Sequence, residues 1–371
     1  MRKEWEYKKL NEVCEKGTSN IVINKLADNK GKYPLFGASG LVKNIDFFHQ
    51  DKPYIGIVKD GAGVGRVNIY PAYSSLVGTM QYIFPKEGYS IDFIKYFLVK
   101  LDLSHCVSGA TIPHIYFKDY GKENIPTPSL ATQLAIVSEL DKINELIRLK
   151  KEQLKDFDNL AQSLFYEMFG DPVENEKGWD VKKLDNVCNI TSSKRIFADE
   201  YTNTGIPFYR SKEVIERSKG LPISVELFIS EERYNEIKEK FGVPKIGDIL
   251  ITAVGTIGKI WAIDTDNKFY FKDGNLVWLK DIDNQLANSC FFRRLLEYLI
   301  EEYKKTNANG AAYNALTIAK LKLMSCPLPP LPLQRLFAQR IEQIEREKSE
   351  VQKSIQDLET LLASRMQYWF E

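Results

Sequence analysis

Cysteine is scarce in this chain of 371 residues: Cys14, Cys106, Cys188, Cys290 and Cys326 are scattered, with no CxxC pair. That spacing excludes a thiolate zinc knuckle and a redox dithiol, and fits reduced thiols in a cytoplasm. Histidine is scarcer still, with only His49, His105 and His114, and no His/Asp/Glu group shows metal-ligand spacing. No metal or cofactor is therefore expected on this chain. No apolar run approaches the roughly 18 residues of a membrane span. The start, Met1-Arg2-Lys3-Glu4-Trp5-Glu6, has no apolar signal-peptide core. A cytoplasmic protein with no membrane partner is the expectation. Net charge is only +1, which argues against a strongly basic nucleic-acid binder.

What is present is a globular composition, 44% apolar and 12% aromatic, long enough for more than one domain. Charge is uneven: net +4 over residues 1–129, −2 over 130–170, zero over 171–330 and −1 over 331–371. The chain is also written twice. Trp5, Lys8-Lys9-Leu10, Val13 and Cys14 coincide with Trp179, Lys182-Lys183-Leu184, Val187 and Cys188 at an offset of 174. Pro126-Thr127-Pro128-Ser129-Leu130 with Gln133 matches Pro327-Leu328-Pro329-Pro330-Leu331 with Gln334 at an offset of 201, so the second copy is about 27 residues longer between these anchors. Tyr33-Pro34-Leu35-Phe36 resembles Ile206-Pro207-Phe208-Tyr209, and Val64-Gly65-Arg66-Val67 resembles Ile257-Gly258-Lys259-Ile260.

Each copy ends in a heptad pattern. In the first, Ile136, Leu140, Ile143, Ile147, Leu154, Phe157 and Leu164 fall on alternating steps of four and three, with Lys150, Ala161 and Met168 completing the series. In the second the seam is Phe337, Ile341, Ile344, Val351, Ile355, Leu358 and Leu362, with Lys348, Arg365 and Trp369. Four heptads or more of this kind predict a coiled-coil pair, with Lys150 and Lys348 as polar interruptions that set register. Packing of both helices on the globular parts is the alternative, and would show as a wider apolar stripe. A helix over 131–169 would be roughly 58 Å long at about 1.5 Å per residue. Gly170 and Asp171-Pro172 stop it. Residues 171–178, at most about 28 Å extended, are too short to run back along it. Antiparallel pairing is therefore expected, with one globular domain at each end.

Tyr54–Val58 and Asp248–Thr252 read as strands leading through glycine-rich turns to Arg66–Tyr70 and Lys259–Ile263. Residues 91–98 and 291–299 read as short helices. Strands dominate the middle of each copy, so α+β is expected over a doubly wound α/β fold. The expected organisation is a globular domain at 1–129, a spacer helix at 130–170, a second globular domain at 171–330 and a spacer helix at 331–371.

Gly61-Ala62-Gly63-Val64-Gly65-Arg66 invites a phosphate-loop reading but has the wrong spacing and no following helix, and Gly255–Ile260 lacks the Walker spacing. No G-x-S-x-G and no Asn-Pro-Pro-aromatic tetrapeptide appears, so no catalytic residue is assigned. Polar residues in loops between apolar strands are the candidate contacts to a partner: Lys43, Lys59, Arg66 and His114 in the first copy, Arg210, Lys212, Lys259 and Asn314 in the second.

These residues together resemble the specificity subunit (HsdS) of type I restriction–modification systems over essentially the whole chain. The carriers are Gly178-Trp179 with Lys183-Leu184, Gly247-Asp248-Ile249-Leu250-Ile251 leading to Gly258-Lys259, Phe165–Pro172, and Pro327–Gln334 opening a long helix. The resemblance implies two target-recognition domains, each reading half of a split duplex DNA site, and makes the eight loop residues named above candidate DNA contacts, arginine and lysine suited to guanine acceptors and asparagine to adenine. It implies docking of two methyltransferase subunits on the helices, with restriction subunits outside. S-adenosylmethionine would then belong to the methyltransferase partners, with Mg and ATP used through the restriction subunit. Independently, two unlike domains on a rod suit a bipartite asymmetric site, and about 58 Å corresponds to roughly 17 base pairs. A coiled-coil scaffold that binds only proteins is the alternative.

Overall fold

The computed structural model describes residues 5–26, 28–109, 111–306 and 315–371. The chain divides into two units, Met1–Leu154 with Glu350–Glu371, and Lys155–Ser349. Each unit is α+β, and the two are built alike.

In the first unit, Cys14–Thr18, Met80–Pro85, Tyr54–Val58 and Val67–Tyr70 lie side by side in that order as an antiparallel sheet. In the second, Asn189–Thr191, Leu276–Lys280, Ile249–Thr252 and Ile260–Ala262 repeat the order and the direction. The inner strands Tyr54–Val58 and Ile249–Thr252 are buried at every residue, which is why they read as continuous rather than alternating apolar runs. Ile55 and Ile57 face a core with Phe93 and Phe97 of the helix Ile91–Leu101, while Tyr54 and Val58 face a second core under a smaller sheet.

In that smaller sheet Tyr33–Gly37 runs antiparallel to Gly40–Ile45 and parallel to Ser75–Leu76. Its counterpart pairs Ile206–Tyr209 parallel to Tyr270–Phe271 and antiparallel to Phe228–Ile229. The extra length of the second copy falls mainly here. Residues 38–53 join Tyr33–Gly37 to Tyr54–Val58, whereas 210–248 make the equivalent connection and hold the helices Ser211–Ser218 and Glu231–Lys240.

Each copy is closed by a short ladder between its ends, Tyr7–Lys9 with Asn124–Pro126 and Asp180–Lys183 with Ser325–Leu328. The bond that follows is the same in both: Leu10 N–H to Glu123 O and Leu184 N–H to Met324 O, each 2.9 Å.

The prolines then release two helices of 40 residues, Leu130–Phe169 and Leu331–Phe370. A buried glutamine sits in the first turn of each. Gln133 Oε1 accepts from Ser90 N–H at 2.9 Å, and its Nε2 donates to Gly88 O at 3.2 Å and Pro128 O at 3.0 Å. Gln334 repeats this with Asn288 N–H at 2.8 Å, Leu286 O at 3.0 Å and Pro329 O at 2.7 Å. Gly170, at φ +75°, ends the first helix with its N–H on Tyr166 O.

The helices pair antiparallel within each unit. In the first, Glu139 pairs with Arg365 and Lys151 with Glu359. In the second, Asp158 pairs with Lys348, and Phe165 and Phe169 pack on Phe337. Ile136, Leu140, Ile143, Ile147, Leu164, Phe337, Ile341, Ile344, Val351 and Ile355 are buried, each contributing roughly 1.5–3 kcal/mol relative to exposure. Leu154, Phe157, Leu358 and Leu362 are half-buried. Near the helix ends the apolar stripe widens, and Val137, Met366 and Phe370 join the first unit's core as Phe165 and Phe169 join the second's. Helix packing on the globular parts thus coexists with the coiled seam. Of the two seam lysines, Lys348 pairs across the helices, whereas Lys150 donates to Gln153 on its own helix.

Among the described residues no helix is long and apolar enough to cross a membrane, and no cluster of three His, Cys, Asp or Glu side chains is placed to hold a metal ion.

Candidate nucleic-acid interface

The hairpin Tyr54–Val58/Val67–Tyr70 ends in a loop that needs three left-handed residues. Gly61, Gly63 and Gly65 take φ of +84°, +87° and +86°, which only glycine adopts without strain. This is the physical reason for the G-x-G-x-G spacing. The loop is closed by Val58 N–H on Arg66 O at 3.0 Å and Gly65 N–H on Val58 O at 2.8 Å. The strap 111–115 lies against it, with Gly61 N–H on Pro113 O and Ile115 N–H on Lys59 O, both 2.9 Å. Arg66 Nη1 donates to Ala38 O at 2.8 Å, which fixes the guanidinium beside the turn Gly37–Gly40. Lys59, Arg66 and His114 are thereby brought to one end of the unit. Lys59 lies 3.7 Å from Asp60, and His114 meets the ring of Tyr116 edge-on at 4.9 Å. Leu41, just past the turn on the strand Gly40–Ile45, and Ile112 are each 62% exposed.

The second unit repeats this frame. Thr252 N–H bonds to Lys259 O at 3.0 Å, Gly258 N–H to Thr252 O at 2.8 Å, and Leu316 N–H to Ala253 O at 3.0 Å. Gly258 at φ +79° stands where Gly65 does, and Lys259 where Arg66 does. The same bonds therefore present an arginine in one copy and a lysine in the other.

The remaining candidates are placed differently. Lys43 lies on the strand Gly40–Ile45, not in a loop, and its ammonium donates to Leu26 O. Lys212 is on the helix Ser211–Ser218, and Arg210 immediately precedes it, so the expectation that both lie in open loops is corrected. Both are held by carboxylates. Arg210 Nη2 bonds to Glu213 Oε1 at 2.8 Å and Glu226 Oε2 at 2.9 Å, and Lys212 Nζ bonds to Glu226 Oε1 at 2.8 Å. The bonds from Lys212 and Arg210 hold the Glu226 carboxyl down at about 2. Asn314 lies outside the described residues.

Glu226, Leu41 and Ile112 are residues that sequence reasoning missed. Glu226 is 14 and 16 positions from its cations, beyond any helical spacing rule, so nothing local announced the pairing. For Leu41 and Ile112 the available signal was an apolar residue close after a glycine, Gly40 and Gly109.

This geometry has known counterparts. The family model described as the type I restriction modification DNA specificity domain matches residues 2–156 and 176–360, one match per copy. A protein named as a type I restriction enzyme specificity subunit in Haemophilus influenzae is 25% identical over 359 residues, covering 92% of this chain and 88% of its own. The type I restriction enzyme MjaIX specificity subunit of Methanocaldococcus jannaschii is 26% identical over 302 residues, covering 75% of this chain and 68% of its own. Among solved structures, the S subunit of a type I restriction–modification system from M. genitalium aligns with a TM-score of 0.54 at 17% identity, covering 99% of this chain and 96% of that one. A chain from a structural study of complex assembly and conformational transition in the type I R-M system aligns at 0.63 with 19% identity, covering 98% and 96%. At such identities the structural likeness is one of fold.

Proposed function

The chain belongs to the type I restriction–modification DNA specificity family, and we propose that it reads a bipartite, asymmetric duplex site with one half for each unit. Its role is that of the specificity subunit. The observation that carries the two-half reading is the repeated hairpin frame, equal in backbone bonds and unequal in side chains, with Arg66 against Lys259. Equal frames approach a duplex in equal ways, and unequal side chains prefer different base edges. Lys59, Arg66 and His114 form the contact group of the first unit, and Lys259 is central in the second. Leu41 and Ile112 offer apolar contact to thymine methyl groups.

The chain itself carries no chemistry in this reading. Two methyltransferase subunits dock on the long helices and bring S-adenosylmethionine, and restriction subunits with Mg and ATP join outside them. The length of the helices sets the number of base pairs between the half-sites.

The test is a map of methylated adenines in the host genome with and without this gene. One motif with two unlike halves and a fixed gap should disappear on deletion; loss of a palindrome, or of nothing, overturns the reading. Removing seven residues from each long helix keeps the heptad phase and shortens each by about 10 Å. The gap should contract by about three base pairs with both halves unchanged. A changed half-site beside an unchanged gap would contradict the role given to the helices.

A further inference from the structure

In the second unit two cations share one carboxylate. Each oxygen of Glu226 takes a different cation, Oε2 the guanidinium of Arg210 at 2.9 Å and Oε1 the ammonium of Lys212 at 2.8 Å. The trio is open to solvent, with side-chain exposures of 53% for Glu226, 49% for Lys212 and 31% for Arg210. Arg210 is fixed from below by Glu213, whose side chain is 1% exposed and which also accepts the Arg210 backbone N–H at 2.7 Å. Glu216, on the same helix, adds a further negative charge to the field at Lys212.

The cations and the carboxylate come from different segments of the chain. Lys212 belongs to the helix Ser211–Ser218, whereas Glu226 lies in the stretch 221–227, which forms neither helix nor strand. Exposed ion pairs of this kind are weak and easily exchanged. The group best suited to take the place of Glu226 has one negative charge spread over two oxygens. A phosphodiester matches that description, with its two terminal oxygens and single charge. Substitution of one for the other leaves the local charge balance unchanged.

The internal repeat says where this trio sits. Phe208 and Tyr209 take the parallel pairing that Leu35 and Phe36 take in the first unit, so Arg210 occupies the position of Gly37. Gly37 opens the turn whose Ala38 carbonyl holds Arg66. The helix after Arg210 packs on Ile260–Ala262, the strand that leaves Lys259.

We infer that Arg210 and Lys212 form a clamp for one phosphodiester of the DNA backbone, held closed in the free protein by Glu226 as a built-in stand-in. This rests on the reading that the second unit faces duplex DNA. Glu226 then opposes binding to any duplex and leaves base choice alone. The penalty falls equally on specific and non-specific complexes, so the carboxylate leaves their ratio alone and limits how much protein is held on non-specific DNA.

The experiment uses the full chain assembled with its modification partner and two fluorescent duplexes, one with the methylated motif and one without, titrated over a range of salt. Glu226→Gln should tighten binding to both duplexes by about the same factor and steepen the slope of log K against log salt by about one. Lys212→Gln should weaken both and flatten the slope by about one. The methylated motif should be the same for both variants and the parent. Parental affinity and slope in Glu226→Gln, or a parental slope in Lys212→Gln, overturns the clamp. A motif altered by Glu226→Gln overturns it too, because the carboxylate would then be reading a base. If the unaltered complex itself shows no motif-selective, salt-dependent binding, the underlying reading fails. Selective binding with a silent Glu226 rejects the clamp alone.

Discussion

The two units agree bond for bond at the glutamine of each long helix and part company two to three helical turns away, where a short helix fastens to a long one. In the first unit the Tyr96 hydroxyl donates to Asp141 at 2.6 Å and accepts from Asn144 Nδ2 at 2.9 Å. By the offsets of the glutamine contacts, Arg294 stands where Tyr96 does and Glu345 where Asn144 does. Arg294 bonds to Glu297 at 2.9 Å and lies 3.8 Å from Glu345. Gln133 and Gln334 are 1% and 0% exposed, so the backbone groups they satisfy have no water to fall back on. In the fastenings Tyr96 is itself buried, but the carboxylates Asp141, Glu297 and Glu345 reach solvent, where a hydroxyl network and an ion pair serve about equally well. Divergence between the copies is therefore permitted where water can replace a lost partner, and forbidden where it cannot.

The largest expected effect tests that rule directly. Gln133→Ala should strand the Ser90 N–H and the Gly88 and Pro128 carbonyls, and Gln334→Ala the matching three groups. At 1–3 kcal/mol for a stranded group, partly relieved by relaxation, each should cost about 3 kcal/mol. The loss should be confined to its own unit, read by hydrogen exchange at Ile91–Leu101 for the first and Ser289–Thr306 for the second. Loss of protection in both units from either substitution, or in neither, would break the comparison.

The next effect is smaller and concerns reading rather than folding. Arg66→Ala and Lys259→Ala remove unlike side chains from like frames, and each bidentate or equivalent base contact is worth about 1–3 kcal/mol of discrimination. Arg66→Ala should relax one half of the methylated motif and Lys259→Ala the other, in sequencing of modified DNA. If both relax the same half, the two frames do not serve two half-sites.

Much of this architecture was legible in the residues. The paired anchors at Trp5/Trp179 and Gln133/Gln334, the prolines before each helix and the heptads all act over short distances, where one residue's chemistry fixes its neighbours. The inner strands were legible for the same reason, as runs such as Tyr54–Val58 bounded by glycine. The smaller sheets were not. Leu35 pairs with Ser75 and Phe208 with Tyr270, parallel contacts over long separations whose register no local pattern specifies. The antiparallel pairing of the long helices followed from the short connection 171–178, but no spacing announced that Trp369 stacks on Trp5 with ring centroids 6.0 Å apart while Trp179 donates to Phe169 O at 2.8 Å. Of the interface, the loop positions of Lys59, Arg66, His114 and Lys259 followed from glycine turns. The fates of Lys43, Arg210 and Lys212 did not, because each is decided by a partner distant in sequence, Leu26 O or Glu226.

The smallest expected effect separates the helix pairs of the two units by pH. In the first unit Glu139 accepts from both Arg365 and the Trp369 indole, the latter at 3.2 Å. The Arg365 hydrogen bond holds the Glu139 carboxyl below its ordinary 4.5. A carboxyl depressed in the folded state stabilises fully above the unfolded value, and that contribution is lost as pH falls through the folded value. The site is about a third exposed, so solvent screening limits the contribution to at most about 1 kcal/mol. Glu139→Gln should therefore lower the urea midpoint slightly at pH 7, followed by tryptophan fluorescence from Trp5 and Trp369. The gap to the unaltered protein should narrow as the pH falls below 4.5 and through the depressed folded value. In the second unit the helices meet at this depth through Phe165, Phe169 and Phe337, which carry no titrating group. Hydrogen exchange at residues 160–169 should be the same in both proteins at either pH. A gap that persists unchanged into acid would mean that Glu139 acts through packing against Trp369 rather than through its charge.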